Sequence, residues 1–315
     1  MDAPHQPVLL QAILEGLNVR AAAPGWFIDG TVGAGGHAQA ILETAPQAHL
    51  LGIDRDPRSL AIAAERLAGY GQRVSLRQGS YTQMGQFTAS AGFPLAEGVD
   101  GIVLDLGIAS MHVDDAARGF SFRADAPLDM RFDPDSDIPT AAEMLNTCPL
   151  EDLVRILSDY GEERHAKRIA RAIADARPLQ TTHDLVRAVE RGLRGVKYDH
   201  LHPATRTFQA VRIAVNDELA HVERVLPLAL SLLRAGGRLA VISFHSLEDR
   251  LVKTYFHREA RDCLCPPQQI ICTCGHKTTL REITRKPLTP DAAEMAANPR
   301  SRSAKLRIVE RLAVY

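Results

Sequence analysis

Residues 29 to 37 read Asp-Gly-Thr-Val-Gly-Ala-Gly-Gly-His. They follow the apolar run Trp26-Phe27-Ile28 and precede an alanine-rich helical stretch. A strand, a glycine-rich turn and a helix N-terminus, in that order, predict a nucleotide pocket at the edge of a parallel sheet. Glycine lets the backbone approach a ligand and takes positive φ at little cost, which a residue with a Cβ does not. A tight turn without a ligand needs one glycine; here four fall within seven positions, from Gly30 to Gly36. The carboxylate of Asp29 disfavours a pyrophosphate and suits a cationic ligand, such as the amino-acid end of S-adenosylmethionine.

Strand and helix signals alternate over residues 26–105. Phe27–Asp29, His49–Ile53, Arg73–Arg77 and Val99–Leu104 read as strands. Gly36–Glu43 and the segment opened by Asp56-Pro57 read as helices, the latter with Asp as N-cap and Pro at the first helical position. Parallel strands with covering helices give this pattern. It stops near Met111. Residues 113–137 are polar, and helical spacing follows in Ala166, Ile169, Ala170 and Ile173 and again over His183–Leu193. The α/β pattern resumes with a helix carrying Leu219, Val222, Leu226, Leu230 and Leu233, kinked at Pro227 and ended by Gly236-Gly237. Arg238–Phe244 reads as a buried strand, Ser246 with Asp249 as a capping box, and Lys305–Leu312 as the last strand. We therefore expect one domain from residues 1–112 and 211–315, and an inserted, mostly helical domain over 113–210.

The 315 residues suffice for two domains, and no apolar run is long enough to span a membrane. The first residues carry no basic-then-apolar signal, and five cysteines without one fit a reducing cytoplasm. A net charge of −1 excludes a globally basic nucleic-acid binder but leaves room for local basic patches.

Beyond the glycines, Asp54 ends the second strand, where a carboxylate can accept both ribose hydroxyls of an adenosine. Asp105 ends the fourth strand, beside the expected sulfonium and target atom, or else caps a turn. Tyr81, after the third strand, flanks the adenine or simply packs. Gly33 to Ala38 also fits the looser G-x-G-x-x-A dinucleotide fingerprint, which keeps a nicotinamide oxidoreductase in view; Asp29 and the interrupted second half argue against it.

Longer blocks extend the reading. They are His5-x-Pro7-Val-Leu-Leu10, Asp29–His37, Asp54-Arg-Asp-Pro57, Arg118-Gly-Phe-Ser-Phe-Arg123 and Pro127-Leu-Asp-Met-Arg131. Gly161-Glu-Glu163, His202–Gln209, Ser243–Asp249 and Asn298–Arg307 follow in order. Together the chain resembles the bacterial 16S rRNA (cytosine-N4)-methyltransferase family over nearly its whole length. The resemblance implies a class I methyltransferase fold, a Rossmann-like parallel sheet with an inserted helical domain. It implies S-adenosylmethionine as cofactor and a decoding-region cytidine of 16S rRNA, within the small ribosomal subunit, as substrate. It places cofactor contacts at Gly35, Gly36, His37, Asp54, Tyr81, Asp105 and His112. Position 112 is often Gln in that family and position 81 commonly Phe, which favours a neutral hydrogen bond at His112 and ring stacking at Tyr81.

The exocyclic N4 of cytosine is a poor nucleophile, so alignment with the sulfonium carries much of the rate, and an acceptor must take the N4 proton. Asp105 is the candidate base by position, or else serves the cofactor. The target base must be unpaired or flipped out. Arg164, Lys167, Arg168 and Arg171, then Arg206 and Arg212, then Arg300, Arg302, Lys305 and Arg307 supply the RNA footprint, Arg206 being the candidate substrate contact. His202 and His245 read as structural or RNA contacts. Cys263-x-Cys265 and Cys272-x-Cys274 read as reduced loop cysteines, with four-thiolate zinc as the competing reading. A non-catalytic ribosome-assembly protein keeping the same fold is the third functional class.

Overall fold

The computed structural model of the chain describes residues 7–21, 24–94, 96–196, 202–269 and 271–313. His5 of the first family-like block lies outside the described residues. Seven strands form one sheet: β1 Trp26–Asp29, β2 His49–Asp54, β3 Val74–Gln78, β4 Val99–Asp105, β5 Leu233–Ser243, β6 Leu280–Glu282 and β7 Lys305–Arg311. Their order is β3-β2-β1-β4-β5-β7-β6. β1 to β5 pair in parallel, and β7 runs antiparallel to both β5 and β6.

Alternation along the strands divides the core between two faces. Ile28, Leu51, Ile102, Leu104, Leu239 and Val241 pack into one apolar cluster, with Val222, Val225, Leu226, Val252 and Phe256. Phe27, Leu50, Val103, Ala240 and Ile242 pack into the other, with Ile13, Ala38, Ile41, Leu42 and Ala63. A sheet buried on both faces explains why its central strands read as unbroken apolar runs. The order reverses between β1 and β4, and in such sheets ligands bind in the crevice at the strands' carboxyl ends. The residues ending β2, β1 and β4 are Asp54, Asp29 and Asp105.

Several local readings change. The helix Ser246–Glu259 is capped by His245, whose Nδ1 accepts from Glu248 N–H at 3.4 Å, and not by Ser246. Glu248 reaches back past the cap to accept from Phe244 N–H at 2.9 Å, so the reciprocal box expected from Ser246 and Asp249 does not form. Gly236-Gly237 does not end the preceding helix, Glu218–Leu232, which closes before Leu233. The glycines sit where β5 shifts register, Val99 facing Leu233 and Gly101 facing Arg238, with Gly236 at φ 81°. β6 has three residues, too few for a period-2 signal.

The chain divides into two compact units, residues up to Gly107 with Leu219 onward, and Ile108–Glu218. A division inside residues 205–216 is physically awkward, because Thr205–Asn216 is one continuous helix. The second unit carries four further helices of seven residues or more, Ala141–Thr147, Leu150–Asp159, Ala166–Asp175 and Thr182–Gly192. Ala166, Ile169, Ala170 and Ile173 are all buried on one helix face. The polar stretch before them is held by side chains: Asn216 accepts from Phe132 N–H at 2.8 Å and donates to Met130 O at 2.7 Å. Among the described residues no helix is long and apolar enough to cross a membrane.

Candidate active site

The loop after β1 is threaded between the ends of three strands. Gly30 N–H donates to Val103 O at 2.9 Å and Val32 N–H donates to Ile53 O at 2.9 Å. Gly33 and Gly35 take φ of 52° and 82°, the left-handed region where glycine is favoured. At Gly30 a Cβ would meet Leu104 Cδ2 at 2.6 Å and Tyr81 Cβ at 3.3 Å, so Tyr81 borders the loop. Gly35 is the N-cap of the helix Gly36–Thr44 and has no side chain to bond the first N–H groups.

Three carboxylates line the strand ends, with different environments. Asp54 is engaged: Oδ2 accepts from Gly33 N–H at 2.8 Å and Oδ1 from Asp56 N–H at 2.9 Å. It pins the glycine loop to β2. Asp29 is 1% exposed, and its Oδ1 accepts from Thr31 N–H at 3.1 Å. Its Oδ2 is buried without a hydrogen-bond partner. Burial pushes the Asp29 carboxyl up to about 7, against the downward pull of His37. Asp105 donates its N–H to Thr31 Oγ1 at 2.6 Å, and its Oδ1 is likewise buried and unpartnered. Burial, with Glu248 adding to it, pushes Asp105 up to about 7 as well.

His37 is buried, and its Nε2 lies 3.0 Å from Val8 O. A carbonyl only accepts, so Nε2 carries the proton. Nδ1 is then turned to Asp105 Oδ2 at 3.9 Å. A buried unpartnered carboxylate oxygen is expensive to maintain, and two beside one glycine loop mark a place where a cation or hydrogen-bond donor is expected.

The sequence profile of the MraW methylase family matches residues 2–312. The chain belongs to that family. Curated relatives named "Ribosomal RNA small subunit methyltransferase H" run along the whole chain. The one from Heliobacterium modesticaldum is 49% identical over 313 residues, covering 98% of each chain. That of Dehalococcoides mccartyi strain BAV1 is 47% identical, covering 99% of this chain and 88% of its own. That of Geobacter sulfurreducens is 49% identical, covering 99% and 100%.

The chain is thus a methyltransferase with a class I fold, and its cofactor is S-adenosylmethionine. The nicotinamide reading of the glycine fingerprint falls away. The pocket's chemistry fits a sulfonium ligand with an ammonium group: buried carboxylate oxygens without partners of their own, beside a glycine loop.

Of the seven expected cofactor contacts and the expected substrate contact Arg206, six are in the sheet unit: Gly35, Gly36, His37, Asp54, Tyr81 and Asp105. His112 and Arg206 are in the helical unit. His112 is buried, its Nδ1 accepting from Ala109 N–H at 3.2 Å, its ring 5.2 Å from Phe120 and 5.5 Å from Phe132. Arg206 Nη1 donates to Glu162 O at 3.3 Å. His202 stacks on Phe122, ring centroids 4.6 Å apart.

The expected basic footprint separates into two kinds of residue. Arg164, Lys167, Arg168 and Arg171 are exposed along the helical unit, as are Arg300 and Arg302 in the sheet unit. Arg212 is instead committed to Glu218, through Nε at 2.8 Å and Nη2 at 2.9 Å. Arg307 is 5% exposed and donates to Asp249 at 2.7 Å, and Lys305 joins the same carboxylate at 3.2 Å. Arg212 and Arg307 are structural.

Sequence reasoning missed a 280 Å³ cavity past the carboxyl end of β5, lined by Phe244, His245, Ser246, Thr289, Arg302 and Lys305 among others. Asp105 faces Ile242 across the sheet, so this cavity opens at the same edge as the strand-end acids. An aromatic ring next to basic side chains was visible in the sequence only as separate blocks, about 60 residues apart.

Proposed function

We propose that this methyltransferase transfers the methyl group of S-adenosylmethionine to N4 of a decoding-region cytidine in 16S rRNA, presented within the small ribosomal subunit in the cytoplasm. The observation that carries the reading is the pair of buried carboxylate oxygens, Asp29 Oδ2 and Asp105 Oδ1, unpartnered beside the glycine loop of a methylase fold.

When bound, S-adenosylmethionine supplies an electrophilic methyl group on a sulfonium. Asp29 receives the ammonium of its amino-acid end. Gly35 and Gly36 present backbone N–H groups at a helix start, and His37 holds the loop by its bond to Val8. Asp54 keeps the loop in place at the strand end that meets the ribose hydroxyls. Tyr81 offers its ring to the adenine. Transfer makes an N–C bond and breaks an S–C bond, and N4 must shed one proton. Asp105 takes that proton, with Nδ1 of His37 placed behind it. An acid held near neutrality is matched to such a task. The Phe244 cavity offers ring stacking to an extruded base, with Arg302 and Lys305 for its phosphates. Arg206 and the exposed basic row of the helical unit contact RNA.

A particle substrate follows from charge. A protein gripping naked RNA by bulk electrostatics is expected to be more basic than a net charge of −1. The experiment compares methyl incorporation into small subunits, free 16S rRNA and a short decoding-region hairpin, followed by nucleoside mass spectrometry. We expect N4-methylcytidine, formed fastest on the particle. Methylation at carbon 5 contradicts the target atom, and equal rates on all three contradict the particle.

A further inference from the structure

The methyl-transfer chemistry leaves one cluster of reactive side chains unused. Between the helix Ser246–Glu259 and β6 the chain runs for some twenty residues without a helix or strand among the described residues. Loops this long inside a compact unit are uncommon unless something else orders them. An apolar core does not do so here, since Leu264 is 39% and Ile271 76% exposed. Yet the fold brings four thiols, from Cys263, Cys265, Cys272 and Cys274, to one point, every pair of sulfurs within 4.8 Å.

The separations are diagnostic. Cys263 to Cys272 is 3.4 Å, Cys272 to Cys274 3.5 Å, Cys274 to Cys263 3.8 Å and Cys265 to Cys272 4.0 Å. A disulfide holds its sulfurs at about 2.05 Å, and all four cysteines are free. A tetrahedral zinc with Zn–S near 2.3 Å sets its sulfurs about 3.8 Å apart along every edge. A [4Fe–4S] cluster attaches each thiolate to a different iron and a [2Fe–2S] cluster divides them between two irons, so either spreads the four sulfurs wider.

Backbone donors turn towards the same sulfurs. Leu264 N–H donates to Cys274 Sγ at 3.3 Å and Cys265 N–H to Cys263 Sγ at 3.4 Å. Such donors favour thiolates.

We propose that Cys263, Cys265, Cys272 and Cys274 bind one structural zinc ion, which closes the loop between the helix Ser246–Glu259 and β6. All four positions are filled by thiolates, so no coordination site is open for catalysis. The role is to order the loop that delivers β6 to the sheet edge. The reduced-loop reading of these cysteines is replaced on the convergence of the sulfurs, which sequence spacing alone does not show.

The test uses the full chain purified from zinc-supplemented culture. Elemental analysis is expected to find one zinc per chain, and Cys272→Ser with Cys274→Ser to lose it. Thiol titration gives a second count. With metal bound, Cys148 alone is expected to react, and after chelation all five cysteines. To separate metal loss from misfolding of the double variant, wild-type protein stripped by chelator is also titrated with cobalt(II). The expected result is a near-ultraviolet thiolate-to-cobalt band with strong tetrahedral visible bands, saturating at one equivalent. Absence of both zinc and the cobalt spectrum overturns the site. So does zinc retained by the double variant, iron in place of zinc, or a mass two daltons lower per cysteine pair, which identifies disulfides.

Discussion

Asp249 and Asp105 are both acids at the carboxyl edge of the same sheet unit, and they are treated in opposite ways. Asp249, on the helix after β5, is clasped by Arg307 at 2.7 Å and Lys305 at 3.2 Å. Burial works to raise it, but the two cations outweigh that and hold its carboxyl below the usual range. Asp29 is 1% exposed, and Asp105, a quarter exposed, keeps its Oδ1 buried; among the described residues neither has an arginine or lysine against it, and both sit near 7. A buried acid given its own cations is a strut. A buried acid left without them is unfinished until a ligand arrives. The difference separates framework from site without reference to any motif.

The largest effect is expected from Asp105→Asn. The amide keeps the shape but is a poor proton acceptor, and loss of a general base lowers turnover by about 10²–10⁴-fold. Single-turnover rates at saturating S-adenosylmethionine measure this. The wild-type rate is expected to rise with pH and level off above about 7, as Asp105 ionises. Near-wild-type turnover in the variant leaves Asp105 with no base role.

Asp249→Asn tests the other side. It strands Arg307, 5% exposed, without its counter-charge, and breaking a buried pair in this way costs about 3–5 kcal/mol. Lys305 is more exposed, so its share is small. Denaturant unfolding reads the loss, and cofactor affinity of the folded protein is expected to stay unchanged. The Asp249 carboxyl is depressed in the fold, so its contribution is present above the unfolded carboxylate range and fades as pH falls through the folded value.

Asp29→Asn is expected to weaken S-adenosylmethionine binding by about 10–100-fold, the equivalent of roughly 1.5–3 kcal/mol for a charge-assisted contact. Without ligand the same change stabilises at high pH. The Asp29 carboxyl is raised in the fold, so it favours folding fully below about pH 4, and that advantage is lost as pH rises to about 7. Above that pH the variant is expected to melt several degrees higher than the ligand-free wild type. A smaller, roughly tenfold, loss of affinity is expected for Asp54→Ala, through a loosened Gly33 loop and lost ribose contacts. Unchanged affinity removes Asp54 from the pocket.

The sheet was legible from sequence because strands buried on both faces are apolar runs, and the acids Asp29, Asp54 and Asp105 stand directly after them. What was not legible involves partners distant in the chain or loops without a period. Arg307 read as part of an RNA-binding tail; its carboxylate lies 58 residues away with no local sign of the pairing. Arg212 read the same way until Glu218 closed on it across a helix end. His245 was passed over as a cap because histidine seldom serves as one. The Cys263–Cys274 spacing was visible, but the meeting of its sulfurs depends on how an irregular loop turns.

The central claim is that the unpartnered strand-end acids await a cationic ligand, and proton linkage tests it most directly. S-adenosylmethionine is titrated calorimetrically into the protein near pH 6.5, in buffers of different ionisation enthalpy. Binding an ammonium against Asp29 favours its carboxylate, so the account predicts net proton release on binding, and predicts that the release shrinks and affinity falls in Asp29→Asn. Equal affinity and equal proton release in wild type and variant would contradict it.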